Sequence, residues 1–193
     1  AFAQALERHR GRVILGAFSA PDSSRKRVET LPQPVFRQVA PFRSLNGGNT
    51  AFWLSARLTF ADRFEGKLTP SISSEIAGSR IRKEGFYRPD WSIQMRTVPT
   101  YSLVDVIDGK LPQDALRGKD VVVGPTSPTL RDVYPILFQG VFAGVYFHVI
   151  GAETLRQGTP QSFGWLPFFV FALGTCILFL LTRRRLTRLL TVA

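Results

Sequence analysis

The stretch LRGKDVVVGPTSPTLRDVYP, Leu116 to Pro135, decides how the chain is read. A short charged turn leads into Asp120–Gly124, whose consecutive valines, Val121 to Val123, fit a buried strand. The strand delivers a loop, Pro125 to Pro135, that holds Asp132 between prolines. Open α/β sheets place ligands at the carboxyl ends of their strands, which makes Thr126, Ser127 and Asp132 candidate ligand contacts. The other role open to Asp132 is to brace the loop through backbone N–H groups. Gly118-Lys119 is not a phosphate loop, because that motif follows a strand and places Ser or Thr after the lysine, whereas here the lysine precedes the strand and Asp120 follows it.

Downstream, GVYFHVIGAETLR (Gly144 to Arg156) reads as a helix whose Val145, His148, Val149, Ala152 and Leu155 share one face, stopped at Gly158 before Pro160. His148 is a packed histidine or a pocket-lining one, and with Asp132 it forms the one acid/base pair worth weighing. No G-x-S-x-G, H-E-x-x-H or metal-spaced His/Cys set accompanies it, so neither a cofactor nor a metal is expected. Upstream, AFAQALERHR suits a helix that ends before Gly11, RVILGAF (Arg12 to Phe18) a buried strand, and residues 21–50 a long irregular connection with Asn46-Gly47-Gly48 as a turn. Phe52 to Phe60 fits a strand or a short helix. PSISSEIA starts a helix with Ser71 as N-cap, WSIQMR alternates like a half-exposed strand, and SLVDVID is a short helix capped by Ser102 and closed by Gly109. Alternating helices and apolar strands predict an α/β layered domain with a mixed or mostly parallel sheet.

The C-terminal end is of another kind. WLPFFVFALGTCILFLL, Trp165 to Leu181, holds no charged residue in 17 positions, and as a helix it spans ~26 Å, close to a hydrocarbon core. The alternative, a buried core helix, would need a domain on all sides, because apolar residues occupy every face. Arg183, Arg184 and Arg185 follow at once, and basic residues beside a span mark its cytoplasmic side. Residues 1–162 are then expected outside the cytoplasm, 163–182 in the inner membrane, and 183–193 as a cytoplasmic juxtamembrane segment or the start of a second span. The chain opens at Ala1 without an initiator Met and is read as a piece of a longer protein with a further membrane segment upstream. Its net charge of +11 owes four units to the C-terminal arginines, and the remainder is spread without a recognition motif, so nucleic acid is not expected as a partner. The single cysteine, Cys176, excludes an internal disulfide framework.

From Tyr101 onward the motifs YSLVDVIDG, LRGKDVVVG, LRDVYP and FAGVYFHVIGAETLRQG, followed by a membrane helix, resemble the C-terminal half of CHASE2 domains. Where that family carries an acidic–glycine pair followed by arginine this chain has ADRFEGK, and Val149 follows His148 where alanine is usual. The resemblance implies an extracytoplasmic sensor of a bacterial transmembrane receptor, with a cytoplasmic nucleotide cyclase, diguanylate cyclase or phosphodiesterase, or kinase as output. It implies no enzymatic activity in this stretch. The partners expected are the membrane, a small-molecule or protein signal, and a second copy of the chain in a homodimer. Two rival readings are a membrane-anchored scaffold or assembly module and a membrane-anchored hydrolase using Asp132 and His148.

Overall fold

The computed structural model describes residues 1–49, 56–81, 83–130, 132–136, 139–160 and 164–190. Helix α1 (Phe2–Arg8) ends where Gly11 takes φ +79°, a conformation open to glycine. Strand β1 (Leu15–Pro21) begins three residues later than the expected RVILGAF and buries Ala17 completely. The expected irregular connection over residues 21–50 is instead segmented into β2 (Arg27–Thr30), α2 (Pro34–Arg37), β3 (Phe42–Ser44) and β4 (Gly47–Asn49). Its turn residues punctuate short elements: Asp22 accepts from Ser24 and Lys26 to close the β1–β2 hairpin. Asn46-Gly47-Gly48 is not a turn, because Gly47 and Gly48 pair with the next strand.

That strand is β5 (Ala56–Phe64), joined to β6 (Lys67–Pro70) through Glu65 and Gly66. Both linking residues have positive φ, 49° and 75°, the requirement of a two-residue hairpin turn whose twist matches the strands. The FEGK of the sequence is therefore this turn. Helix α3 (Ile72–Ile76) is capped as expected, with Ser71 Oγ accepting from Ser74 N at 3.1 Å. β7 (Gly85–Tyr87) returns to pair with β5. The expected WSIQMR strand is absent: Gln139 Nε2 donates to the carbonyls of Trp91 and Ile93, its Oε1 accepts from Met95 N, and a 3₁₀ turn at Met95–Thr97 takes the rest. A side chain has replaced the neighbouring strand. Helix α4 (Leu103–Ile107) comes next, closed by Gly109, with Ser102 at the N-cap but without a side-chain cap bond.

Residues 120–127 are irregular, so the strand expected at Asp120–Gly124 does not form. Val121 and Val123 are 53% and 73% exposed, and only Val122 is half-buried. Strand β1 pairs instead with β3 over Leu15–Ala17, parallel, and with β2 over Phe18–Pro21, antiparallel, and the valines join neither ladder. After a 3₁₀ turn at Pro128–Leu130, the hairpin β8 (Val133–Ile136) and β9 (Gly140–Ala143) leads into α5 (Gly144–Gln157), which stops at Gly158 with φ +101°. The protein is thus α/β with a mixed sheet β2-β1-β3, an antiparallel sheet built on β5 and a separate hairpin. Among the described residues, parallel pairing is confined to β1–β3 and the Ser44–Ser71 bridge.

The core joins Leu58, Tyr87, Met95, Ile136, Phe147 and Ile150, with Phe147 edge-on to Trp91 and to Tyr134 at 5.3 and 5.1 Å between centroids. Helix α5 buries Phe147, Ile150, Gly151, Ala152 and Thr154; Ala152 and Leu155 of the face its periodicity predicts turn to the core, and Phe147, Ile150, Gly151 and Thr154 widen it. Small residues set the contact with α3. Ser73 and Ser74 of α3 are fully buried, and a Cβ on Gly151 would lie 2.6 Å from Tyr87 Oη and 3.0 Å from Ser73 Oγ. Only glycine lets α5 come this close.

The chain divides into two units, Ala1–Pro160 and Gln161–Ala193. In the second, α6 (Leu166–Leu190) is continuous through the arginines. Its segment Leu166–Arg183, of mean hydropathy 2.0, is long and apolar enough to cross a membrane, with none of its surface buried by protein. Thr175 and Thr182 turn their hydroxyls onto the carbonyls of Ala172 and Leu178, at 2.8 and 3.0 Å, so neither presents an unsatisfied donor to hydrocarbon.

Gly151→Ala tests the close approach. Helix propensity alone favours alanine by ~1 kcal/mol, whereas overpacking costs ~1–3 kcal/mol. A lowered urea midpoint is expected; a raised one would mean that Tyr87 and Leu58 yield without cost.

Candidate functional site

Within the unit Ala1–Pro160, a cavity of about 1630 Å³ opens between β1, the start of α3, the first two turns of α5 and the segment Lys119–Pro125. Its walls are largely apolar, with Ile14, Leu15, Ile72, Val121, Val145 and Phe147 among them. The valines that do not make a strand line this space instead. They are held at two ends: Arg156 of α5 reaches Asp120 at 3.2 Å, and Gly124 rests on Val145, where an added Cβ would come within 2.9 Å.

The structure brings Asp132 and His148 to the same cavity. Asp132 is fixed from both sides. Its carbonyl accepts from Gly144 N at 2.9 Å, and its carboxylate fills the space a Cβ on Gly144 would take, with Oδ2 at 2.7 Å from that position. It sits against the first residue of α5, where the helix dipole favours negative charge. Burial, and after it the neighbouring Asp132 carboxylate, pushes the Tyr134 phenol up. Asp132 thus braces the loop and lines the cavity at once.

His148 lies one helical turn beyond Gly144, a rise of ~6 Å, and no hydrogen bond links it to Asp132 among the described residues. Its Nδ1 is 3.5 Å from Ser73 Oγ. Burial pushes the imidazole down to about 4, which keeps it neutral near pH 7. Ser73 and His148 have the residue types of a nucleophile and base, but Ser73 is fully buried, out of reach of a substrate. Thr126 and Ser127 do not join the cavity. Both are exposed, and Ser127 is used by the following turn, its Oγ accepting from Thr129 N and its carbonyl from Leu130 N. Among the described residues no cluster of His, Cys, Asp and Glu could hold a metal ion.

Two residues that the sequence did not single out also line the cavity. Asn46 ties β1 to β5: its Oδ1 accepts from Ser19 N at 2.8 Å, its Nδ2 donates to Ser19 Oγ and to Asp62, and its carbonyl accepts from Thr59 Oγ1. Asp62 in turn pairs with Arg27 at 2.9 Å. Arg57, on β5, has a buried Nε with no hydrogen-bond partner. The Asn-Gly-Gly turn signature hid the first, and an arginine in a strand carries no local signal of its surroundings.

A profile of the CHASE2 domain matches residues 2–182, from the start of α1 into α6. The chain belongs to the CHASE2 family. No curated protein and no solved structure matches it. CHASE2 domains are extracytoplasmic sensory domains.

His148 makes the unit acid-sensitive. Its folded pKa lies below the ordinary histidine value, so its contribution is intact above pH ~6.5 and is lost as pH falls toward 4, where the unfolded chain binds the proton first. Between pH 7 and 5 this amounts to about 2 kcal/mol. Urea denaturation of His148→Asn is expected to lose that much less stability over the interval than the native protein; parallel losses would show that the imidazole protonates freely in the fold.

Proposed function

We propose that this protein is the input module of a bacterial transmembrane receptor: residues 1–162 detect a signal outside the cytoplasm, and α6 crosses the inner membrane to a cytoplasmic output domain. The observation that carries this reading is the family match itself, which spans the cavity-bearing unit and the apolar helix together. The arginines at 183–185 orient the helix with its C-terminal end in the cytoplasm. A nucleotide cyclase, a diguanylate cyclase or phosphodiesterase, or a kinase is the expected output, and the sensor works as a homodimer.

In this reading Asp132 and His148 contact the ligand, and α5 is the transmitting element. The helix starts at the cavity, where Gly144 and His148 line it, and its far end leads through residues 159–164 to α6. A ligand shifts such a system only by binding two arrangements of the domain with different affinity. Packing of α5 against α3 without room for a Cβ makes small adjustments of the helix costly and therefore discrete.

The topology is tested by a single cysteine at exposed Asp114 in a Cys176→Ser background. Labelling of intact cells by a membrane-impermeant maleimide is expected, and protection until lysis would reverse the orientation. Coupling is tested by replacing residues 159–164 with a long Gly/Ser linker in the full-length receptor. Output should no longer follow the state of the domain, and unchanged signalling would remove α5 from the path.

A further inference from the structure

We infer that the cavity takes an organic acid with an apolar body, its carboxylate bound by the Arg57 guanidinium. The inference rests on the sensor reading and adds the chemical class of the signal.

Most charges on the cavity wall are paired or solvated. Of the acidic residues, Glu75 is paired with Arg43 at 2.7 Å and Asp120 with Arg156 at 3.2 Å, while Asp132 sits at the head of α5. Of the basic residues, Arg12 and Lys119 are exposed and solvated. Arg57 is different: the residue is half-buried, its Nε is withdrawn from water, and that Nε meets no acceptor. A guanidinium cannot shed its charge, and a buried donor left unpaired costs the desolvation that a partner would offset. The missing partner is an acceptor of negative charge, and a carboxylate matches the planar fork with two parallel bonds.

The rest of the cavity sets the remainder of the molecule. Neutral His148 offers a hydrogen bond, both Nδ2 hydrogens of Asn46 are spent on Ser19 and Asp62, and Arg12 and Lys119 are exposed, so Arg57 is the one half-buried cation of the wall and a doubly charged phosphate group would be under-compensated. Ile14, Leu15, Ile72, Val121, Val145 and Phe147 provide apolar surface in a space of about 1630 Å³, more than an isolated small acid such as acetate needs. Apolar contact supplies affinity, and Arg57 selects the acid over its neutral analogue.

The test uses the full 193-residue chain in lipid nanodiscs, with empty nanodiscs subtracted, and three probes: 2-naphthoate, 2-naphthalenemethanol and inorganic phosphate. Titration calorimetry should show 2-naphthoate binding at least tenfold more tightly than the alcohol, with no response to phosphate. Arg57→Gln should abolish the preference while leaving weak binding of both naphthalene probes, and Arg57→Lys should retain part of it. Equal affinity for acid and alcohol in the native chain, no binding of either, tighter binding of phosphate, or an undiminished preference in Arg57→Gln would each overturn the assignment. The comparison of probes on the native chain stands even if the Arg57 variants fold poorly. Its failure leaves the sensor reading intact with a signal of different chemistry, whereas the sensor reading itself falls with the cysteine-labelling and linker results.

Discussion

Everything in the sensing unit depends on how closely α5 approaches α3 and β5. Gly151 stands where a side chain would overlap Leu58, Tyr87 Oη and Ser73 Oγ, and the facing residues of α3 are buried serines. Small residues on both sides set the depth of α5, and that depth decides which of its residues face the core and which face the cavity. Ile150 goes inward to the core, Phe147 serves both the aromatic cluster and the wall, and Val145 and His148 are left at the wall. A bulkier crossing would hold α5 further out and take the hairpin β8–β9, which enters it directly, along with it.

The same helix organises the polar side of the site. Its first residue must be glycine because the Asp132 carboxylate occupies the position of a Cβ, so the loop before β8 and the start of α5 are keyed together. Its last turn carries Arg156, which donates to the carbonyl of Ile76 and to Asp120 and so ties α3 and the valine segment to α5. The two ends of one helix thus anchor two different walls of the cavity. Sensor domains need such shared anchorage, since a change at one wall is felt at another only through an element common to both.

Local chemistry was legible in the sequence wherever one residue decides the outcome. Gly11, Gly109 and Gly158 end helices at positive φ, Ser71 caps α3, and the uninterrupted apolar run gives α6. The ordered motifs after Tyr101 pointed to the family by themselves. The long-range pairings were not legible. Val121 to Val123 have the composition of a buried strand, but a strand needs a ladder to join, and β1 pairs instead with β2 and β3, segments the sequence presented as loop. WSIQMR alternates like a strand, yet its carbonyls are claimed by the Gln139 side chain from more than forty positions away. In the site, the loop position of Asp132 and the helix position of His148 brought them to one cavity, whereas Thr126 and Ser127 lie outside it, Ser127 spent on a turn. Asn46 and Arg57 matter through partners gained or lacking in three dimensions, which no spacing rule encodes.

Helix α6 does not stop where its apolar stretch ends but runs on, unbroken, to Leu190. Beyond Arg183 this adds seven residues, roughly 10 Å of helix, and each residue rotates the outgoing chain by about 100° around the axis. The direction in which the helix ends at Leu190 is therefore set by its length. Such a shaft conveys twist, and the angular phase at which it ends becomes a quantity that a single inserted or deleted residue would reset.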